Sequence, residues 1–365
     1  MTVLGTERPV VVPVGVPRHI DGDDARDFRA LADVFNTALH HDLGLDHLRW
    51  DAAEMLPAWQ DQTDRLQAAF LAWKDGRPAG ALALTAPREE GATELEFDLL
   101  ALPDARRDGA VEDALLQRLL AEAARLGRTH VQTYTLHRAD AGGERIGSPT
   151  GFGSVPVDRY SRFYRDHGFT LQQVERNSIL DLTAPLDRVQ ELLATAEAAA
   201  AAGPHYRLRT WTSPTPAPWR AEFAHVISRM STDAPFAGLT MTEETWDAAR
   251  VARRDERLRA GGLLVSVAVV EHVPTGRLVA YNELTIGADR TRPTNQWGTL
   301  VLREHRGHRL GTLVKCANIL RWRELVPQSP VITTFNAEEN RPMLDVNEAL
   351  GFTPLTVAGA WQRVS

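Results

Sequence analysis

The sequence predicts an α/β (α+β) protein built from two tandem copies of one unit, each a mixed, mostly antiparallel sheet flanked by helices. Three observations carry that expectation. The chain has 365 residues, more than one hydrophobic core ordinarily organises. Strand-like and helix-like runs follow one another in the same order in both halves. Local echoes keep that order as well: Asp75-Gly76-Arg77 with Thr275-Gly276-Arg277, and Gly168-Phe169 with Gly351-Phe352.

In the first half, Asp23-Asp24 opens a helix expected over 25–39, and a second apolar-periodic stretch covers 52–59. Strand-like runs at 66–73 and 78–84 flank Asp75-Gly76, where glycine readily takes the positive φ of a hairpin turn. The run 94–102 alternates acidic and apolar residues, so one face should be core and the other wet or lining a site. An apolar-periodic helix over 111–126 stops at Gly127, and a strand follows at 130–136. A Gly- and Pro-rich loop leads to a short helix at 161–167, and strands at 169–174 and 177–182 close the unit.

A helix over 185–202, Ala-rich at its end and left at Gly203-Pro204, reads as a linker. The second half then repeats the order: strand 206–212, helices 219–230 and 243–260, a hairpin of 263–270 and 278–286, and strand 296–302. Helix 310–325, strand 331–335, helix 341–349 and strand 352–359 complete it. The expected organisation is a first domain at 1–183, a helical linker at 184–204 and a second domain at 205–365.

Composition narrows the function classes. With 41 basic against 48 acidic residues the formal net charge is -7, which argues against general nucleic-acid binding. No apolar run is long enough to cross a bilayer, and residues Met1 to Arg8 lack the plan of a secretion signal. The lone Cys316 can make no internal disulfide, so a cytoplasmic protein, monomer or homodimer, is expected.

One stretch carries chemistry. After Thr299-Leu300-Val301-Leu302, a charged loop containing Arg306-Gly307-His308-Arg309-Leu310-Gly311 passes straight into a helix with Leu310, Leu313, Val314, Ala317 and Leu320 on one face. Free N–H groups of a first helical turn favour an anion, the two glycines let backbone approach it, and Arg306 and Arg309 add charge. A pyrophosphate suits such a cradle. A zinc reading of His305-x-x-His308 fails for want of further ligands between flanking arginines, so no metal is expected. The Gly147 to Gly153 stretch lacks the Lys-Ser/Thr end of a nucleotide loop.

The stretch resembles motif A of the GCN5-related N-acetyltransferases (GNATs), written Gln/Arg-x-x-Gly-x-Gly/Ala, with Arg306 and Gly311 at the outer positions and Arg309 where the central glycine usually lies. Downstream, Asn336 and Asn340 followed by Gly351-Phe352 resemble that family's Asn-x-x-Asn and Gly-Phe segment, and the likeness spans most of residues 206–365. The first half resembles the family less. Its loop Pro103 to Leu116 places Ala110 and Glu112 at the glycine positions when anchored on Ala114-Leu115-Leu116, and Glu112 would oppose a pyrophosphate; anchoring on Gly109 instead demands a residue more than usual.

The resemblance implies acetyl-CoA as co-substrate, bound along Leu300, Val301, Leu302, Arg306, Gly307, His308, Arg309, Leu310 and Gly311 with Asn336 and Asn340. It also implies an acetyl transfer in the second domain to a primary amine. Tandem members, mycothiol synthase among them, make a small-molecule acceptor the expectation. The family's acidic tyrosine falls at Asn347 in the second copy and at Tyr164 in the first, and Glu283 is the expected base. Glu338, Glu339, Asp233, Trp297, Tyr281 and Cys316 read as surface, turn or packing residues. A non-catalytic CoA-binding or structural protein, and an aminoacyl or peptidyl transferase, are the alternatives.

Overall fold

The computed structural model describes residues 8–202 and 205–365, so the expected Gly203-Pro204 exit and most of the chain start lie outside the described residues. The first half runs β1 (Val10–Pro13), α1 (Arg26–Leu43), α2 (Ala52–Gln60), β2 (Arg65–Lys74), β3 (Arg77–Pro87), β4 (Glu94–Ala101), α3 (Ala110–Arg125), β5 (His130–Arg138), the small hairpin β6 (Arg145–Gly147) and β7 (Ser154–Pro156), α4 (Arg159–Asp166) and β8 (Thr170–Asp181). Helix α5 (Asp187–Ala201) leads to β9 (Tyr206–Thr212), α6 (Arg220–Ser228), α7 (Met230–Asp233), α8 (Ala248–Ala260), β10 (Leu264–His272) and β11 (Arg277–Ile286). The chain then continues through β12 (Thr294–Val301), α9 (Leu310–Leu325), β13 (Val331–Ala337), α10 (Arg341–Leu350) and β14 (Thr353–Val364).

Local chemistry sets most of these boundaries. Asp75 and Gly76 both take positive φ (52° and 74°), the turn whose twist matches the β2–β3 hairpin. The Asp51 carboxylate accepts from the amides of Ala53 and Glu54 and so starts α2. Helix α8 starts at Ala248 rather than near 243, because the Asp247 side chain caps it by accepting from the Arg250 amide at 2.6 Å. The nucleotide-loop-like stretch at 147–153 proves to be the turn of the β6–β7 hairpin.

All strands except β6 and β7 form one 12-stranded sheet in the order β1-β2-β3-β4-β5-β14-β8-β13-β12-β11-β10-β9. Two expectations change here. The strands expected at 169–174 and 177–182 are one continuous β8, since no glycine-containing turn interrupts Val174-Glu175-Arg176-Asn177. The two sheets are halves of one, because each half lends its last strand to the other: β14 pairs with β5, and β8 pairs with β13. The cores follow the exchange. Trp361 of β14 is fully buried among Leu82, Leu95, Leu115 and Leu119 of the first half. Leu180 of β8 packs with Ile319 and Trp322 of α9 in the second half.

The arrangement positions two openings. The parallel pair β4–β5 is bonded only from Glu94 to Glu96, and the parallel pair β12–β13 only at Thr294 and Asn295. Beyond those residues the strands separate, leaving a wedge in each half at the mouth of the following helix.

Candidate functional site

The wedge between β12 and β13 opens into a cleft of about 550 Å³ that runs along Thr299, Leu300 and Val301 to the start of α9. Its far end is made by Arg306, Gly307, Arg309, Leu310 and Gly311, as the sequence implies, and Asn340 lines its other wall. Gly307 has φ of 90°, which only glycine adopts without strain. The Arg306 Nε donates to the Val301 carbonyl at 3.1 Å, which fixes the loop against its strand. Among the described residues neither Arg306 nor Arg309 enters an ion pair, so both charges are free for an anion at the helix start.

Amide directions can be read from the β11 pairing. The Leu302 N–H donates to the Val279 carbonyl at 2.9 Å, so the amide of Leu302, expected along the co-substrate, is already taken. Amides alternate sides along a strand, so the Leu300 amide also faces β11 and the Val301 amide faces the cleft. His308 and Asn336 do not line the cleft either. His308 lies in a ring cluster with Tyr206, whose hydroxyl meets His305 Nδ1 at 2.9 Å. Asn336 Oδ1 accepts from Asn347 Nδ2 at 2.6 Å.

The two copies superimpose in number at this loop, which settles the first-half anchor. Arg106 Nε donates to the Ala101 carbonyl at 2.8 Å, as Arg306 does to Val301, and Gly109 precedes α3 with φ of 70° where Arg309 precedes α9 with φ of 57°. The central glycine is therefore Gly109, and Ala110 and Glu112 are not the glycine positions. Glu112 is buried against Arg159 (2.5 Å) and does not face the loop as a bare charge. In this loop Arg106 is held bidentate by Asp42 at 2.6 and 2.9 Å. Arg309 pays in backbone strain for its charge. Arg309→Gly is expected to stabilise the protein by about 0.5–1 kcal/mol, because a side chain at left-handed φ is unfavourable. Urea unfolding measures it, and an unchanged or lower midpoint would count against strain at this position.

The expected catalytic residues fall elsewhere. Glu283 Oε1 accepts from Arg254 at 2.8 Å, is nearly buried and does not line the cleft. Asn347 is buried, and its Oδ1 accepts from Lys315 Nζ. Burial pushes the Lys315 ammonium down to about 7. None of Asn336, Asn347 and Lys315 lines the cleft. Tyr164 belongs to the first half's core and lines a different cavity. Burial raises its phenol well above the usual range.

Glu339 is the residue the sequence concealed. It lines the cleft beside Asn340; its Oε1 accepts from Gln173 Nε2 at 2.7 Å, and its Oε2 is buried without a partner. Its neighbour Glu338 is paired with Arg176 at 2.8 Å. Asp233, expected as a turn or cap, is buried and bridges Arg229 (2.8 Å) and Arg303 (3.5 Å) at the cleft wall. Gly298 explains why Tyr281 is only packing: a Cβ there would lie 2.3 Å from the Tyr281 hydroxyl. Cys316 is buried in α9 with its thiol raised to about 12, as a packing residue requires.

The β4–β5 wedge holds a second cavity of about 450 Å³, walled by Phe35, Leu39, Trp50 and Tyr134, with Asp98 and Glu175 facing it. Burial, then the Glu96 charge, raises the Asp98 carboxyl to about 6. Burial, then Glu339, raises Glu175 to about 7. Asp42, Tyr134, Tyr160 and Tyr164 also line this cavity, and burial raises the three phenols. The native protein therefore keeps protons that the unfolded chain, with ordinary values of 3.8 and 4.5, has released. That stabilisation is complete at low pH and is lost as pH rises through about 6 and 7. Asp98→Asn and Glu175→Gln are each expected to stabilise by about 1–2 kcal/mol at pH 8, discounted for solvent in the cavity, and hardly at pH 4. Urea unfolding at the two pH values tests this, and equal effects at both would refute it.

Solved structures share this fold. A tandem GNAT protein from the clavulanic acid biosynthesis pathway, solved without AcCoA, matches with a TM-score of 0.72 at 22% identity over 98% of this chain and 98% of its own. A GCN5-related N-acetyltransferase from Sphaerobacter thermophilus matches with a TM-score of 0.61 at 15% identity, covering 98% and 96%. A glucosamine N-acetyltransferase region of a fungal multi-domain GH3 β-N-acetylglucosaminidase gives 0.56 at 14% identity, covering 99% of this chain and 38% of that one. No family model matches the sequence, and no curated protein matches it.

Proposed function

From the tandem GNAT fold, we propose that this chain moves an acetyl group from acetyl-CoA to a primary amine of a small molecule, with the second-half cleft holding the co-substrate. The observation that carries the reading is the free pair Arg306 and Arg309 over the α9 start, at the closed end of a wedge with an outward-facing Val301 amide. The pyrophosphate would lie on that loop. The pantetheine arm would pair along Thr299–Val301 as an added strand.

In the transfer, the amine nitrogen forms a bond to the thioester carbonyl carbon and the carbon–sulfur bond breaks. The Val301 N–H would stabilise the developing oxyanion. Glu339, with its unpartnered Oε2 in the cleft, would take the proton the amine loses. No tyrosine serves the leaving sulfur here, because Asn347 stands in its place, so the thiolate would leave to water.

A second reading, a CoA-binding protein without turnover, is favoured by the locked Glu283 and Asn347. Net charge of -7 speaks against an aminoacyl or peptidyl transferase acting on tRNA. Mass spectrometry of the purified full chain would identify any retained CoA species. Free-thiol release from acetyl-CoA across an amine panel is expected to require both protein and amine. Acetyl-CoA binding with no thiol release for any amine would sink the transferase reading and leave the binding one.

A further inference from the structure

The first-half cavity is built for a different guest from the second-half cleft. In the loop at its end, Arg106, the counterpart of Arg306, is committed to Asp42, and Tyr160 also donates to Asp42. Its walls are apolar and aromatic. Into this space project Asp98 from β4 and Glu175 from β8, and among the described residues neither carboxylate has a hydrogen-bond or ion-pair partner. Asp98 is exposed and Glu175 half-buried, and both line the cavity. Carboxylates without partners beside apolar and aromatic walls leave negative charge that a cationic guest would compensate.

The two acids sit at opposite ends. The sheet order places β5 and β14 between β4 and β8, so Asp98 and Glu175 are three strand spacings apart, no less than about 14 Å between backbones, and β4 has already parted from β5 at Asp98. Tyr134 of β5 stands between them and feels the charge of Glu175 and of Glu96. A volume of about 450 Å³ admits a small organic molecule. Beyond Asp98 the space continues into a chamber of about 560 Å³ bounded by Glu54, Glu96 and Trp297. That chamber adds negative charge at the Asp98 end.

We propose that the first-half cavity is a binding site for an extended organic dication, an α,ω-diamine, with one ammonium on Asp98, the other on Glu175 and the apolar chain against Trp50 and Tyr134. Each ammonium supplies the donor that a carboxylate lacks, and the alkyl chain matches the apolar walls. The site stands whether or not the second-half cleft transfers acetyl groups. It disfavours CoA, since carboxylates face the channel and Arg106 is already taken.

Calorimetry on the full chain at pH 8 tests this with 1,8-diaminooctane, octylamine and octane-1,8-diol as probes. The diamine is expected to bind once per chain, octylamine about 10-fold or more weaker, and the diol not measurably, as charge-assisted contacts are lost in turn. The double variant Asp98→Asn, Glu175→Gln is expected to lose the diamine while acetyl-CoA still binds. A melting curve of that variant checks that it is folded, and the single variants serve if it is not. Equal binding of diamine and diol, undiminished diamine binding in the variants, or displacement of the diamine by CoA would each overturn the proposal. Failure of acetyl-CoA to bind wild type would instead count against the transferase reading alone.

Discussion

Arg306→Glu is expected to raise the dissociation constant for acetyl-CoA about 100-fold or more, the size of a lost charge-assisted contact plus a new repulsion. Arg306 forms no ion pair that its loss would break, and its one bond is to the Val301 carbonyl, so the fold should survive the change. Gly311→Trp reaches the same end by volume. A Cβ at Gly311 meets only a Val301 methyl at 3.6 Å, so Gly311→Ala should fold and bind nearly normally, whereas an indole would occupy the cradle. Titration calorimetry reads both variants. S-acetylpantetheine, which lacks the pyrophosphate, supplies the control: its weak binding should be indifferent to Arg306→Glu. Acetyl-CoA binding untouched by either substitution would remove the loop from the site.

The second large effect concerns the base. Glu339→Gln is expected to lower kcat for acetyl transfer by about 100-fold or more, the usual worth of a positioned general base, with KM for acetyl-CoA little changed. The glutamine keeps the contact with Gln173 while removing the proton acceptor in the cleft. Glu283→Gln should do the opposite. It leaves Arg254 without its charge partner in a nearly buried pair, so it should cost about 1–3 kcal/mol of stability and leave kcat within a few-fold. A steady-state comparison of the two variants, each with a denaturation curve, separates the roles. If Glu283→Gln lost turnover and Glu339→Gln kept it, the assignment would reverse.

Much of the architecture was legible because it depends on neighbours in the chain. The Asp75-Gly76 turn, the amphipathic α3 and α9, and the glycine-bearing loop before α9 each follow from residues a few positions apart. The duplication was visible for the same reason, since the local order recurs near every 200 residues, as β4 and β12 show. The short β1 went unread because three valines and a proline carry too little pattern to mark an edge strand. The single β8 was misread as two strands because its polar middle resembles a turn until its pairing partners are known.

The sequence by itself determined that a strand–loop–helix with glycine and arginine at the helix start exists at Arg306 to Gly311, since these are local properties. Only the tertiary structure decided which of those groups are free. Arg306 and Arg106 occupy equivalent positions, yet Asp42, 64 residues away in sequence, takes one and leaves the other. That Arg254 pairs with Glu283, and that the loop after β13 sets Glu339 in the cleft, are set by packing. The exchange of β8 and β14 is likewise beyond local reading, because antiparallel strands of equal pattern satisfy their amides with either partner and only the packing of Trp361 and Leu180 in opposite cores selects between them.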